Sequence, residues 1–235
     1  MRLDRRARER AGKVRHAIRG RGLPVVHFLH VGKTGGSAVK AALRPVATVG
    51  PYRLDLHGHA FTLADVGPDE RFFFATRDPV ARFVSAFYSR RRGGAPPARD
   101  PWSRAEARAF ERYATANDLA ERIDSDDEAR AAMDEITHIR SHYSSWFGTS
   151  EEFLARQDQL LFVLRMERLS GDFAELLQLL GLEGRAALPD DDVRSHRGPA
   201  QVDRSLSDRA VANLRDWYAA DLAFVELCDR LDRER

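Results

Sequence analysis

The chain has 235 residues, 43% of them hydrophobic and 31% charged, and its formal net charge is +2. These values are ordinary for a globular protein with a substantial core, and so small a net charge gives no reason to expect nucleic acid as a partner. Cys228 is the only cysteine, which excludes an intrachain disulfide and favours a reducing, cytoplasmic location.

Residues 1–22 form a polar, arginine-rich segment without the hydrophobic centre of a signal peptide. We expect a flexible basic arm here, followed by a single domain over residues 23–235. A solvated tail is a simpler interpretation of the arm than a segment that binds anionic lipid or nucleic acid. No apolar run in the sequence approaches the length of a membrane span, so no transmembrane segment is expected.

Residues 25–31 are apolar and rich in β-branched side chains, which predicts a buried parallel strand. A glycine-rich loop, residues 32–37, leads from this strand into a predicted helix over residues 36–43. This order predicts a phosphate site, because backbone N–H groups and the positive end of the helix dipole meet there. A Walker-type loop also requires a glycine five residues before Gly32, and His27 stands at that position.

Residues 46–66 show no regular periodicity, and we expect them to be irregular. Residues 71–77 predict a second buried strand. Asp78 and Pro79 then predict a helix start, with Asp as the N-cap and Pro in the first turn. That helix is expected to end at Gly93, where a loop rich in glycine and proline begins.

The rest of the chain continues the alternation of helices and strands. Its predicted elements are helical, charged stretches at 103–122 and 127–141, a strand at 159–165, a helix at 170–180, a polar loop at 183–204 and a long amphipathic helix at 206–231. This pattern predicts an α/β fold with a central parallel sheet flanked by helices. Such sheets bind ligands at the carboxyl ends of their strands, where residues 32–37 and Arg77 fall.

Two segments together resemble the carbohydrate sulfotransferases that use 3′-phosphoadenosine 5′-phosphosulfate (PAPS). Residues 30–37 resemble the 5′-phosphosulfate loop of that family, and residues 77–88 resemble its 3′-phosphate segment. The His-Gly-His sequence at 57–59 is similar to the histidine motif that supplies the base in membrane-anchored heparan sulfate 2-O-sulfotransferases. The resemblance implies a three-layer, P-loop-like fold and PAPS as the donor.

The donor carries anionic groups at both ends, so two anion sites are expected. Lys33 can reach the bridging oxygen of the donor, where charge grows as the bond breaks. Further contacts to the 5′-phosphosulfate are expected from Thr34, Gly35, Gly36 and Ser37. The resemblance implies that Arg77 and Ser85 bind the 3′-phosphate and that Arg197, in the polar loop, closes over the donor. An ion pair between Arg77 and Asp78 is the alternative, and we favour Asp78 as the helix cap.

A hydroxyl acceptor needs a base to remove its proton, and a neutral histidine suits that role near pH 7. The resemblance favours His59 as the base, with His57 as its support. Acceptor-lining positions are predicted at His138, Arg140 and His142. No metal is expected, because two histidines without a neighbouring cysteine or carboxylate are too few ligands and the donor is already activated.

The sequence therefore predicts transfer of a sulfuryl group from PAPS to a hydroxyl of a sugar, a glycolipid or another small acceptor. One alternative is a nucleotide kinase or other P-loop NTPase, which the missing Walker glycine disfavours. A second alternative is a non-catalytic module that binds polyanions through its arginine-rich surface. That module would not account for two separate anion sites. The identity of the acceptor and the oligomeric state stay open.

Overall fold

The computed structural model of the protein describes residues 22–93, 101–189 and 203–234. Within them, four parallel strands form one sheet in the order β2-β1-β3-β4. The strands are β1 (Val25–Leu29), β2 (Arg53–Leu56), β3 (Arg71–Thr76) and β4 (Leu160–Arg165). The predicted basic arm, apart from Gly22, and the predicted donor-binding Arg197 lie outside the described residues.

The α-helices cover both faces of this sheet. They are α1 (Gly36–Leu43), α2 (Pro79–Arg91), α3 (Arg104–Arg112), α4 (Ala116–Ala120), α5 (Asp127–Glu135), α6 (Ser144–Phe147), α7 (Ser150–Leu154), α8 (Leu169–Leu179), α9 (Asp208–Trp217) and α10 (Ala219–Arg233). Helices α1 and α8 pack on one face, and α6, α7 and α10 cover the other. This arrangement confirms the predicted three-layer α/β fold. None of these helices combines the length and apolar character that crossing a membrane requires.

The central strands are apolar because both of their faces are covered. In β3, Phe73 and Ala75 belong to the core formed with α1 and α8, whereas Phe72 and Phe74 belong to the opposite core. All four side chains are fully buried. Successive side chains of a strand point to opposite faces, so burial on both faces produces the continuous apolar run that predicted this strand. The helices α2, α3, α4, α5 and α9 share a separate core beside the sheet.

The prediction that residues 46–66 are irregular is wrong, because β2 lies within them and pairs in parallel with β1. This edge strand has only four residues, and Leu54 alone among them is buried. Arg53 and Asp55 form an ion pair 3.1 Å long between Nη2 and Oδ2 on the same face. One buried residue in four gives no detectable alternation, so the sequence pattern could not show the strand.

The predicted long helix over residues 206–231 is instead two helices, α9 and α10, which meet at Tyr218. Tyr218 is buried, and its hydroxyl donates a hydrogen bond of 2.9 Å to the carbonyl oxygen of Ile139. The apolar spacing continues across this break, which is why the break is invisible in the sequence. The predicted helix at 127–141 is also shorter, since α5 ends at Glu135.

Strand β1 lies between β2 and β3, so the chain leaves β1 towards one neighbour and later returns on its other side. A crevice forms at the carboxyl end of a strand where the order reverses in this way. The segments that begin directly after β1, β2 and β3 start at His30, His57 and Arg77. The fold therefore brings the three motifs selected from the sequence to one edge of the sheet.

Candidate active site

The loop after β1 is closely packed against its surroundings. Gly35 is the N-cap of α1 with φ +83°, and a Cβ there would lie 2.7 Å from the Met166 sulfur. A Cβ on Gly36 would lie 2.7 Å from Nε2 of His30. Glycine is therefore required at both positions. The first N–H groups of α1, at Gly36 and Ser37, have no partner inside the helix and are available to an anion.

Thr34 was expected to contact the 5′-phosphosulfate, but its hydroxyl is hydrogen-bonded within the loop. Its side chain is fully buried, and its hydroxyl donates to the carbonyl oxygen of Val31 at 3.1 Å. The hydroxyl proton is therefore already used to hold the loop, and the backbone N–H of Thr34 is the group left to meet a phosphate. Ser37 is half-buried in the first turn of α1.

Four cationic side chains lie near one another beside the loop. Burial lowers the pKa of Lys33 to about 8, and the charges of Arg92, Arg77 and Arg204 contribute to the shift. Nη1 of Arg77 also donates to the Lys33 carbonyl oxygen at 3.4 Å. Like charges held together raise the free energy of the charged state until an anion neutralises them. We refer to Lys33, Arg77, Arg92 and Arg204 as the cation cluster.

Burial also lowers the pKa of two arginines in this cluster. The pKa of Arg77 is lowered by burial, against an opposing attraction to Glu167, and Arg204 lowers it further. Burial and the charge of Arg204 lower the pKa of Arg92. The Nε atom of Arg92 is buried and has no hydrogen-bond partner among the described residues. An unpaired donor next to crowded cations fits a site that is complete only with an anion.

Sequence analysis did not select Arg92 or Arg204. Arg92 follows the last residue of α2, and Cζ of Arg204 lies 5.7 Å from the ring centre of Tyr88 on that helix. Both belong to arginine-rich stretches in which no local pattern separates one arginine from the next.

The predicted helix cap Asp78 and the predicted 3′-phosphate ligand Ser85 lie at the start of α2 and on it. Asp78 caps the helix, because its Oδ1 accepts a hydrogen bond of 2.8 Å from the N–H of Ala81. This confirms the prediction that Asp78 is the helix cap, although its charge also raises the pKa of Arg77. Ser85 lies two turns further along and is half-buried.

His59 lies in the segment after β2. Its Nδ1 is 2.8 Å from the carbonyl oxygen of His30, and a carbonyl oxygen only accepts. The proton of the neutral ring is therefore on Nδ1, and Nε2 carries a lone pair. Desolvation lowers the pKa of His59, and Lys40 and Lys33 lower it further, although the bond to His30 opposes them. A neutral histidine with an available lone pair has the properties of a general base.

The structure places His57 away from the ring of His59. Its Nε2 lies 2.8 Å from Nδ1 of His27, and its ring stacks on Phe61 with centres 3.5 Å apart. Burial lowers the pKa of His57 to about 4, and the neighbouring His27 contributes. The support expected of His57 therefore does not come from a hydrogen bond between the two motif histidines.

His138 joins His59 from the opposite side of the crevice. Their ring centres are 5.4 Å apart, and a Cβ on Gly32 would lie 2.9 Å from Nδ1 of His138. His138 has φ +71°, a left-handed conformation that costs energy for a residue other than glycine. Burial lowers its pKa to about 4, with further contributions from Lys33 and His59. Two neutral histidines thus lie close to the Lys33 ammonium.

The sequence model of the sulfotransferase family matches residues 24–224. The chain belongs to the sulfotransferase family. The match includes all four strands, the glycine-rich loop and both motif histidines. Sulfuryl transfer to a hydroxyl acceptor is therefore the general activity expected of the protein. A search of curated proteins finds no match to the chain.

The other acceptor-lining residues predicted for this sulfotransferase lie further along the same segment. Nδ1 of His142 is 2.5 Å from Oδ2 of Asp221, which is buried and also accepts a hydrogen bond from the N–H of Tyr143. The side chain of Arg140 is exposed. No described contact joins Arg140 or His142 to His59.

The histidines of this sulfotransferase site do not form a recognisable metal centre. In the described ranges, no group of three or more histidine, cysteine, aspartate or glutamate side chains is arranged to hold a metal ion. Nδ1 of His59 and Nε2 of His57 are already engaged by protein partners. Hydrogen bonding within the protein thus accounts for one nitrogen of each motif histidine.

Proposed function

We propose that the protein transfers a sulfuryl group from PAPS to a hydroxyl of a sugar, a glycolipid or another small acceptor, with His59 as the general base. The observation that carries this proposal is the position of Lys33. The charge of Lys33 acts on both groups of residues: the arginines of the cation cluster lower the pKa of Lys33, and Lys33 in turn lowers the pKa of His59 and His138. Lys33 therefore interacts both with the arginines proposed to bind the donor and with the histidine proposed to accept the proton.

PAPS carries negative charges that would neutralise the cation cluster. In our proposal the 5′-phosphosulfate contacts the N–H groups of the loop, at Gly35, Gly36 and Ser37, together with Lys33. The 3′-phosphate is bound by Arg77 and Ser85, with Arg92 and Arg204 as further partners. Charge-assisted hydrogen bonds from arginine to phosphate suit such a dianion, because the guanidinium presents two parallel donors. Arg197 keeps its proposed role in closing over the donor.

The proposed reaction is an in-line displacement at sulfur. Nε2 of His59 takes the proton of the acceptor hydroxyl while that oxygen forms a bond to sulfur. The bond between sulfur and the bridging oxygen breaks, and its electron pair stays on the departing 3′-phosphoadenosine 5′-phosphate (PAP). Lys33 stabilises the charge that grows on this oxygen, so catalysis consists mainly of positioning and electrostatic stabilisation.

The acceptor side is formed by the two segments that carry the histidines. His138, held neutral beside His59, can accept or donate a hydrogen bond to the acceptor, and His142 and Arg140 extend the proposed surface. The neutral rings favour an acceptor that is bound through hydroxyl groups, which agrees with a sugar. The single cysteine supports a reducing compartment, and we place the proposed reaction in the cytoplasm.

A thermal-shift panel tests the donor class first. The ligands are PAP, ATP with Mg²⁺, ADP and inorganic phosphate, and we expect PAP to raise the melting temperature most, because at equal concentration the ligand with the lowest Kd stabilises the native state most. A larger shift with ATP and Mg²⁺ would point to a P-loop NTPase, and equal shifts with every anion to a polyanion-binding module. Transfer of ³⁵S from labelled PAPS to a panel of sugars and glycolipids then identifies the acceptor.

A further inference from the structure

His27 is an unusual residue for its position in the central strand β1. Its neighbours Val26 and Phe28 are fully buried, and His27 itself is only 5% exposed. Burying an imidazole costs free energy unless its polar atoms are paired, whereas an apolar side chain would incur no such cost. The partners of His27 are therefore informative about why a polar residue is there.

Both nitrogens of His27 are hydrogen-bonded in a chain that ends at the histidine motif. Nε2 of His27 lies 2.8 Å from Oε2 of Glu70, which also accepts from the N–H of Gly67 at 2.8 Å. The hydrogen bond from His27 lowers the pKa of Glu70, so this carboxylate is an acceptor. In the arrangement that satisfies both contacts, Nε2–H of His27 donates to this carboxylate and Nδ1 of His27 accepts from the Nε2–H of His57 at 2.8 Å.

The segment that carries His59 is fixed at both of its histidines. The carbonyl oxygen of His57 accepts from Nζ of Lys40 at 2.7 Å, in addition to the side-chain bond to His27. The ring of His59 donates to the carbonyl of His30, and the His59 carbonyl accepts from Nε1 of Trp146 at 2.9 Å. A neighbouring glycine, Gly58, has open space around it and contributes no packing of its own.

We infer that Glu70 and His27 are positioning residues that act through His57 to hold His59 in the geometry of a general base. This inference rests on the proposed function of His59. The chain of hydrogen bonds orders the proton positions on His27 and His57 and connects the interior of the sheet to the loop that carries His59. This connection adds to the loop's bonds with Lys40, His30, Trp146 and the backbone of Phe28. Neither Glu70 nor His27 touches the reacting atoms in this arrangement.

The variant His27→Phe separates positioning from stability. Phenylalanine suits the apolar surroundings of β1, so we expect an unchanged or higher melting temperature and an unchanged Kd for PAP. We expect kcat to fall by about tenfold or more with little change in KM, since a misplacement of about 1 Å can cost a factor of ~100 in rate. A purely structural role predicts instead that activity follows stability.

Glu70 supplies a second pair of variants in case His27→Phe folds poorly. Glu70→Ala removes the acceptor and should lower kcat, whereas Glu70→Gln retains an oxygen that accepts from His27 and should restore most of it. Asp69→Ala removes the adjacent exposed carboxylate, which lies outside the chain, and should leave kcat unchanged. Full activity in both Glu70→Ala and His27→Phe would overturn the inference.

Long-range ¹H–¹⁵N spectra of the histidine side chains give a readout that needs no activity. We expect neutral His59 of the wild type in the Nδ1–H form alone, and a shifted or mixed signal in His27→Phe. An unaltered His59 signal in that variant would overturn the positioning role. If the expected spectral change occurs but the wild type transfers no sulfuryl group to any acceptor, the proposed function fails and the positioning of His59 by Glu70 and His27 stands.

Discussion

The hydroxyl of Tyr143 bonds to both backbone groups of Arg77. It accepts from the Arg77 N–H at 2.9 Å and donates to the Arg77 carbonyl at 3.0 Å. Tyr143 is buried, and this burial raises the pKa of its hydroxyl well above the usual value, which keeps the donor proton in place. The same segment carries His138 and His142, so one side chain joins the arginine proposed to bind the donor to the histidines proposed to line the acceptor site.

Tyr143→Phe should loosen this connection. It leaves the N–H and carbonyl of Arg77 without their partner, which costs about 1–3 kcal/mol for a buried unsatisfied group. We expect a corresponding fall in the free energy of unfolding in urea, together with weaker PAP binding by calorimetry. Tyr52→Phe, at a half-buried tyrosine outside the site, is the control. Equal behaviour of the two variants would show that the hydroxyl does not hold Arg77.

Arg77→Ala should discriminate between the two ends of the donor. Removing a charge-assisted partner costs about 1.5–3 kcal/mol, so we expect the Kd for PAP to rise by about 10- to 150-fold. Adenosine 5′-phosphosulfate, which has no 3′-phosphate, should be affected much less. Arg215→Ala, at an exposed arginine of α9, serves as the charge-matched control. An equal loss for both nucleotides would refute the 3′-phosphate assignment.

The protonation of Lys33 should be visible in donor binding. Its pKa of about 8 means that the ammonium is charged below this pH and loses its proton as the pH rises through it. A bound 5′-phosphate or phosphosulfate favours the charged form of Lys33 and raises its pKa, so binding near pH 8 should take up protons. Calorimetry of PAP in buffers with different ionisation enthalpies measures this uptake. Lys33→Arg should abolish it, because arginine stays charged throughout that range.

The proposed base should produce the acidic limb of the pH–rate profile. His59 accepts a proton only when neutral, and its pKa lies below the usual value near 6.5. We therefore expect kcat/KM to be level near neutral pH and to fall at lower pH. His59→Ala should lose about 10²- to 10⁴-fold in kcat, the usual range for a general base. His138→Ala should act mainly on KM, and a reversal of these two effects would assign the base to His138.

The local structure of the loop after β1 and of the start of α2 was predictable because its signals are contiguous in sequence. The apolar run of β1 and the glycines that follow it are contiguous in sequence, as are the Asp78 cap and Pro79 at the start of α2. The histidine motif was found only by resemblance, because β2, which delivers it, has four residues and one buried side chain. The roles of Arg92 and Arg204 depend on tertiary packing, which no local pattern records.

The left-handed conformation of His138 shows a further limit of sequence reasoning. His138 follows Thr137, whose N–H donates to Oε1 of Glu106 at 3.0 Å across a sequence separation of 31 residues. Glu106 in turn pairs with the buried Arg90 at 2.5 Å. Such a turn is held by partners distant in sequence, and the helical pattern that predicted residues 127–141 gives no sign of it.

Glu106→Gln should test, through its effect on stability, whether Glu106 holds the turn at His138. Desolvation alone would raise the pKa of Glu106, but hydrogen bonds from Arg90, Ser103 and Thr137 overcome it and lower the pKa to about 2. At pH values above the ordinary pKa of 4.5 the carboxylate therefore makes its full contribution to stability. This contribution is lost as the pH falls towards 2. We expect the substitution to cost about 3 kcal/mol at neutral pH, because it leaves Arg90 buried without its counter-charge.

Urea unfolding curves between pH 7 and pH 2.5 would measure both parts of this prediction. The wild type should lose stability over the acidic part of that range, and Glu106→Gln should lose less of it because the titrating group is gone. Glu111→Gln, at an exposed carboxylate of α3, is the control. Parallel pH curves for the wild type and Glu106→Gln would contradict the role of Glu106.

The crowding of Lys33 with Arg77, Arg92 and Arg204 also bears on how the protein should be handled. Without a bound anion, repulsion among these side chains opposes folding, so small inorganic oxyanions present in solution act as stabilising counterions. Sulfate or phosphate used as a buffer or precipitant would occupy the crevice and compete with the nucleotide. Purification and storage in such salts should prolong the life of the native enzyme, and its kinetics are best measured after exchange into chloride at low ionic strength.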